Sequence, residues 1–235
     1  FASMVIIAAN SGGAWSPIGD VTTTMLWIGG QITALSIMKE LILPSIVSLL
    51  IPLIYQSFFI RGKYERPVRQ PAVQETEPHS LLVFLAGVGC LISVPVFKTV
   101  THLPPYMGML LGLGIMWILT EVLQSKKEDF KHLQVTAVLQ RIDLSSILFF
   151  LGILLAVAAL ESAGILFSAA DWMDVHIANK DIIITALGVV SAIIDNVPLV
   201  AATMGMYPIS DFPADHKIWE MIAYCAGTGG SLLII

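Results

Sequence analysis

Four stretches of the chain, residues 41–60, 80–97, 103–120 and 144–160, run without a single Asp, Glu, Lys, Arg or His. A bilayer core takes about 20 apolar residues per helix, so each stretch, counted with its flanks, predicts one membrane-spanning helix. Three further apolar regions are broken by polar and turn-forming residues. Residues 1–28 are interrupted by Asn10-Ser11-Gly12-Gly13 and by Ser16-Pro17-Ile18-Gly19-Asp20. Residues 182–207 are interrupted by Asp195-Asn196-Val197-Pro198, and the run from Met221 onward by Gly227-Thr228-Gly229-Gly230-Ser231. The 13 residues from 182 to 194 are too few to cross a bilayer, and the arm that follows is similarly short. The pattern predicts a re-entrant hairpin over 182–207 with Asp195 and Asn196 at its buried tip. Irregular backbone at that depth has to line a cavity or be covered by protein, because lipid offers no partner for its N–H and C=O groups.

The basic residues orient these elements. Arg61, Lys63, Arg66 and Arg69 follow the first span, and Lys126, Lys127, Lys131 and Arg141 follow the third. Two spans separate the clusters, so both lie on one side, which the positive-inside rule makes cytoplasmic. The connections near His102, over 171–181 and over 211–217 are then expected outside. Residues 62–79, rich in Pro, Arg, Gln and Glu, read as a cytoplasmic linker between two membrane halves.

Ala9-Asn10-Ser11-Gly12-Gly13 and Ala226-Gly227-Thr228-Gly229-Gly230 are alike, and each closes a short apolar half-helix. Broken helices at matching positions of a weak internal repeat point to a secondary transporter with a midplane site. The expected fold is an all-α membrane protein, an inverted-repeat transporter with a re-entrant hairpin and broken transmembrane helices. Residues 1–61 would be the end of a first repeat, a broken helix plus one span, and 62–79 the linker. Residues 80–235 would be most of a second repeat: three spans, the hairpin 182–207 and the start of a broken helix over 217–235. The chain reads as an interior fragment, with the first hairpin expected upstream of Phe1.

Composition narrows the function classes. Of 235 residues 56% are hydrophobic and 12% charged, where a soluble domain has about 25% charged; the bilayer is the expected partner. The net charge of −5 and the lack of a dense basic patch exclude nucleic acid. Cys90 and Cys225 sit singly in apolar runs and support neither a disulfide framework nor a cysteine metal site. No Ser-His-Asp, His-Glu-x-x-His or paired-His pattern occurs, so an enzyme is not expected. Residues 227–231 could pass for a phosphate loop, but no Lys-Ser or Lys-Thr follows.

The candidate chemistry lies in the interruptions. An aspartate at mid-depth costs roughly 2.5–3.5 kcal/mol on insertion scales, so Asp195 demands an explanation. Capping the returning arm, with Pro198 in its first turn, is the structural one; an ion site is the functional one, and the two are compatible. Desolvation raises a carboxyl pKa and a bound cation lowers it, so proton and cation compete for one group. Asp20, followed by Val21-Thr22-Thr23-Thr24, presents the same two readings. Asn10, Ser11, Thr22, Ser191, Asn196, Thr228 and Ser231 add neutral oxygens, a hard ligand set suited to an alkali cation. Glu121 and Glu161 read as boundary residues. His79, His102, His132, His176 and His216 all fall outside the apolar runs.

At AANSGGAWSPIGDVTTTMLW (8–27), SAIIDNVPLVAA (191–202) and AGTGGSLLII (226–235), the chain resembles the NhaD family of bacterial sodium/proton antiporters, within the ion transporter superfamily. The resemblance extends through the spans between these motifs. It implies a scaffold domain that commonly forms a homodimer, and a transport domain with two opposed hairpins and two broken helices that moves like an elevator. It also implies that Asp20, Thr22, Ser191, Asp195, Asn196 and Ser231 handle ions and protons, and that the protein sits as a multi-pass protein in the bacterial inner (cytoplasmic) membrane, serving pH homeostasis.

Dicarboxylate relatives in that superfamily carry Ser-Asn-Thr at the hairpin tips, whereas this tip reads Ile194-Asp195-Asn196-Val197, with no Arg or Lys in any apolar run near it. A carboxylate repels an anionic substrate. The expected activity is exchange of cytoplasmic sodium, with lithium as a second candidate, for external protons. No cofactor is expected. Asp20, Asp195 and Asn196 are the expected sodium ligands, and Asn10, Thr22, Ser191, Thr228 and Ser231 the supporting oxygens. A ten-fold proton gradient supplies about 1.4 kcal/mol, enough to oppose an equal sodium gradient one for one. The rival readings are an anion or arsenite-type permease of the same architecture and a membrane scaffold without transport.

Overall fold

The computed structural model describes residues 2–59, 79–124, 139–140, 142–177 and 179–232. The helices are α1 (Ala2–Ala14), α2 (Val21–Ile28), α3 (Ala34–Phe59), α4 (Ser80–Thr101), α5 (Pro105–Gln124), α6 (Leu144–Ser162), α7 (Ile165–Ile177), α8 (Lys180–Val190), α9 (Asn196–Met206) and α10 (Lys217–Gly229). No strand occurs among the described residues. α3, α4, α5 and α6 are long and apolar enough to cross a bilayer, and they fall on the four uninterrupted stretches. The protein is an all-α, multi-pass membrane protein. The linker 62–79 lies outside the described residues apart from His79, as do the basic residues 61–69 and 126–141 that orient the chain.

Two compact units form, Gly62–Ser146 and Phe1–Arg61 with Ile147–Ile235. In the smaller one, α4 and α5 pack along each other. Small residues set their spacing: a Cβ on Gly112 would stand 3.2 Å from Cys90 Cβ, and one on Gly108 would stand 3.0 Å from the Phe97 ring. Close backbone approach of this kind holds helices together where lipid removes the hydrophobic drive between them.

The larger unit is built around α10, which packs along α8 and against α1, α2, α3 and α9, burying Trp219, Ile222, Ala223 and Ala226. α8 and α10 meet at Gly188, where a Cβ would lie 2.6 Å from Cys225 Cβ. α1 lies on α3, and α9 on α2 and α7. None of α6 is buried, and its residues are apolar almost all the way round.

Two elements differ from the sequence reading. Asn10-Ser11-Gly12-Gly13 does not interrupt α1, which runs on to Ala14. A helix tolerates polar side chains that find partners, and buried Ser11 accepts from Ser48 Oγ at 2.9 Å. The break comes over residues 15–20, where Gly13 and Gly19 approach so closely that a Cβ on Gly13 would stand 2.7 Å from the Gly19 carbonyl oxygen. Part of the external connection expected over 171–181 is α7, which starts after Gly164 (φ 72°) and turns Leu166 and Ala170 inward, an i, i+4 pair, while Asp171, Trp172 and His176 stay exposed.

Over the residues where the sequence predicts a re-entrant hairpin, the structure has two short helices, α8 and α9, joined by the turn 191–195. Each arm has 11 residues, about 16 Å at 1.5 Å per residue and far short of a bilayer core of about 30 Å. At its base Lys180 Nζ meets Asp174 Oδ2 at 2.6 Å and lies over the Tyr207 and Phe212 rings at 4.9 and 5.1 Å. The connection between α9 and α10 is tied to that between α2 and α3. Asp215 (φ 61°) accepts from Thr33 N at 2.6 Å and Thr33 Oγ1 at 2.9 Å, and its N–H donates to Gln31 O at 2.8 Å.

Candidate ion-binding site

Asp20 is the N-cap of α2, where extended backbone (φ −138°, ψ 155°) lets the side chain accept from the first turn. Oδ1 accepts from Val21 N at 2.7 Å, and Asp20 N donates to Thr23 Oγ1 at 3.3 Å, part of a capping box. Oδ2 accepts from Thr22 Oγ1 at 2.7 Å and from Asn196 Nδ2 at 3.5 Å. Capping and a binding geometry therefore coexist on one carboxylate. Gly227 of α10 lies against the same oxygen: a Cβ there would stand 3.2 Å from Oδ2 and 3.7 Å from Thr22 Oγ1. The break between α1 and α2, the start of α9 and the end of α10 thus converge on Asp20 Oδ2.

The remaining hydroxyls cluster around the end of α10. Buried Ser191 holds its Oγ within hydrogen-bond distance of the carbonyls of Gly188 (2.7 Å) and Ala226 (3.2 Å). Thr228 Oγ1 donates to Tyr224 O at 2.6 Å, and Ser231 Oγ to Thr228 O at 2.5 Å. A hydroxyl that donates to a backbone carbonyl keeps its oxygen lone pairs for a cation. Asn10 joins this group from α1, its Nδ2 lying 3.9 Å from where a Gly230 Cβ would stand.

Asp195 departs from expectation. It is exposed at the N-cap of α9, with no capping hydrogen bond from its side chain. Asn196, one position on, reaches Asp20 instead. Successive side chains on a helix diverge by about 100°, a consequence of 3.6 residues per turn, so neighbours do not share a face. The two carboxylates named by the sequence are not brought together.

The electrostatics favour positive charge at Asp20. No lysine or arginine occurs in residues 1–38 or 181–216, so no cationic side chain from these segments neutralises the carboxylate. The described residues hold no group of three or more His, Cys, Asp and Glu able to grip a metal ion. One carboxylate and one hydroxyl, with the Asn196 carboxamide beside them presenting its Nδ2, make a low-charge group whose oxygens are of the kind that suits a hard monovalent cation. Gly227 falls in an interruption that the sequence reading named; missed were Gly188, whose close contact with Cys225 sets α8 against α10, and Tyr224, whose hydroxyl donates to Pro44 O at 3.1 Å and ties α10 to α3. A hydroxyl-bearing aromatic four residues before Thr228 was the available signal.

Over 99% of its length the chain is 56% identical to sodium/proton antiporter 1 of Arabidopsis thaliana, covering 41% of that protein. It is 53% identical over the same share to sodium/proton antiporter 2 of that plant, covering 56% of it. Over 98% of its length it is 31% identical to the Na+/H+ antiporter NhaD of Alkalimonas amylolytica, covering 51%. The chain spans about half the length of the curated relatives it matches. No solved structure matches it. The resemblance carried by three motifs thus extends along essentially the whole chain. Residues 1–227 match the family model CitMHS, citrate transporter, and the chain belongs to that family.

Proposed function

We propose that this chain carries the ion-binding core of a secondary antiporter that exchanges sodium, with lithium as a second cation, for protons. The observation that carries the reading is the convergence of a carboxylate, a hydroxyl and a carboxamide, Asp20, Thr22 and Asn196, between a helix break and a helical-hairpin tip. Proton, sodium ion and the Asn196 N–H compete for Asp20 Oδ2. A sodium ion there turns the carboxamide so that its oxygen, rather than its N–H, faces the carboxylate. A proton discharges the carboxylate and releases the cation. One site that holds either ion, but not both, exchanges them. Ser191, Thr228, Ser231 and Asn10 supply further oxygens, and Asp195 serves as a carboxylate at the exposed tip.

The names of the antiporter relatives support sodium and proton as the ions. Lithium rests on the similar hardness of the two ions. The higher identities are to plant proteins and the lower ones to bacterial proteins, so the setting proposed is any membrane that separates compartments of different proton activity, the bacterial cytoplasmic membrane being one. A second reading, transport of a carboxylate anion, is favoured by the printed description of the family model. Against it stand the Asp20 carboxylate and the lack of Lys or Arg in residues 1–38 and 181–216.

The test is sodium-induced proton movement in everted vesicles carrying the full-length parent, wild type beside Asp20→Asn and Asp195→Asn, with lithium, potassium and citrate as comparison solutes. Proton movement on adding sodium, absent in Asp20→Asn, is the expected result. No sodium response from folded wild-type protein, with uptake of citrate, overturns antiport in favour of the second reading.

A further inference from the structure

The N-cap of α10 is a histidine, and it caps through a nitrogen. His216 Nδ1 accepts from Ile218 N at 3.2 Å, the bond that an N-cap side chain makes to the second helical residue. A backbone N–H can only donate, so Nδ1 presents its lone pair and the imidazole is neutral in this arrangement. The common caps, Ser, Thr, Asp and Asn, accept through oxygens that stay unprotonated near neutral pH. Histidine differs, because it changes charge between about pH 5 and 8. An imidazolium carries a proton on both nitrogens and has no lone pair left to accept with. Its charge also opposes the partial positive charge of a helix N-terminus. A proton on His216 therefore removes the cap and adds a repulsion at the same helix end.

The side chain is exposed, with the Phe212 ring edge-on at 5.2 Å, so solvent protons reach it. Two ties leave the turn that it caps. Lys217 Nζ meets Asp181 Oδ2 of α8 at 2.6 Å, and Glu220 Oε1 accepts from Ser36 Oγ of α3 at 2.9 Å. The other end of α10 belongs to the candidate site, where a Gly227 Cβ would stand 3.2 Å from Asp20 Oδ2. Thirteen residues, about 20 Å at 1.5 Å per residue, join the two ends. The ionisable groups around the cap are Asp211 and Asp215 of the connection, Lys217 and Glu220 of α10, Lys39 and Glu40 of α3, and Lys180 and Asp181 of α8 with Asp174 paired to Lys180. α1, α2 and α9, the other helices packed on α10, carry no ionisable residue within their lengths.

We propose that His216 is a proton-operated cap: neutral, it holds the first turn of α10; protonated, it releases that turn and with it the ties to α3 and α8. The cap is present above the pH at which the ring takes its proton and is lost as pH falls. The device rests on the antiport reading above for its purpose, slowing exchange when protons are abundant on the face that holds His216.

The test uses the full-length parent, wild type beside His216→Asn and Glu220→Gln. Hydrogen–deuterium exchange over residues 216–222, corrected for the intrinsic pH dependence of exchange, reads the cap. Sodium-driven proton movement in proteoliposomes, with equal pH on both sides, reads transport. Protection of the wild-type first turn is expected to fall about five-fold, the change that one lost helix cap brings, between about pH 8 and about pH 6. His216→Asn keeps an acceptor that does not titrate there, so it holds its protection and sustains antiport to lower pH. Glu220→Gln keeps an acceptor for Ser36 and retains the wild-type acid limb. Should His216→Asn fail to fold, His216→Asp reads the same two quantities. Protection and acid limb in the folded His216 variant that follow wild type, or an acid limb abolished by Glu220→Gln, overturn the proposal. A wild type that shows the pH-dependent protection but no sodium response overturns the antiport reading and leaves the cap standing.

Discussion

Asn196 Nδ2 lies 3.5 Å from Asp20 Oδ2, although 176 residues separate the two in the chain. The long hydrogen bond joins the first helix break to the hairpin tip at the oxygen that Thr22 also engages at 2.7 Å. A neutral donor at that distance is readily displaced, which leaves Oδ2 open to a proton or a cation.

Asp20→Asn removes the charge and keeps the shape. Loss of a charged partner is worth roughly 1.5–3 kcal/mol, so sodium-driven proton flux in vesicles falls by about 10- to 100-fold. Asn196→Ala, which removes only the long bond and one carboxamide oxygen, lowers it by less. Equal flux in wild type and Asp20→Asn contradicts the assignment.

Gly227→Ala places a methyl 3.2 Å from Asp20 Oδ2. The carboxylate has to shift by a few tenths of an ångström, and the expected outcome is weaker sodium dependence with an unchanged melting temperature. Gly12→Ala is the control. Nothing lies within 4 Å of its Cβ position, and alanine in mid-helix is favoured over glycine by about 0.5–1 kcal/mol, so thermal stability holds or rises and transport is kept.

Asp215→Ala unties the connection between α9 and α10 from that between α2 and α3. It leaves Thr33 N and Thr33 Oγ1 without their acceptor, at a cost of about 1–2 kcal/mol. A lower melting temperature in detergent checks this, and no change contradicts it.

Tyr207 sits at the hairpin base with its hydroxyl buried and unpartnered. Burial first, and the Asp174 carboxylate second, push its pKa up to about 12. The folded protein thus holds a proton that the unfolded chain releases near pH 10, so folding stability falls as pH rises from about 10 towards 12. Tyr207→Phe has no such proton to lose. Its melting temperature declines less steeply over that window, and parallel declines in the two proteins contradict the account.

The spans were legible because a bilayer imposes one rule, length without charge, and residues 41–60, 80–97, 103–120 and 144–160 obey it. The two short helices α8 and α9 were legible because 182–207 is too short to cross twice and carries turn chemistry at its middle. α7 was not legible: Asp171, Asp174 and His176 gave it the composition of a loop, and its inward face is only the Leu166–Ala170 pair. Asn10-Ser11-Gly12-Gly13 looked like a break because partners such as Ser48 cannot be read from local sequence. The choice between Asp195 and Asn196 was beyond pattern reading as well, since it depends on the rotational phase at which α9 starts.

The two arms of the hairpin, α8 and α9, each pack more extensively on other helices than on each other, and α10 is the support they share. The tip therefore has no elasticity of its own. Amide hydrogens of residues 191–196 should exchange with solvent at rates that follow those of α10, and loosening α10 should release hairpin and helix break in a single opening event. In mechanical language the candidate site is a keystone joint rather than a flap.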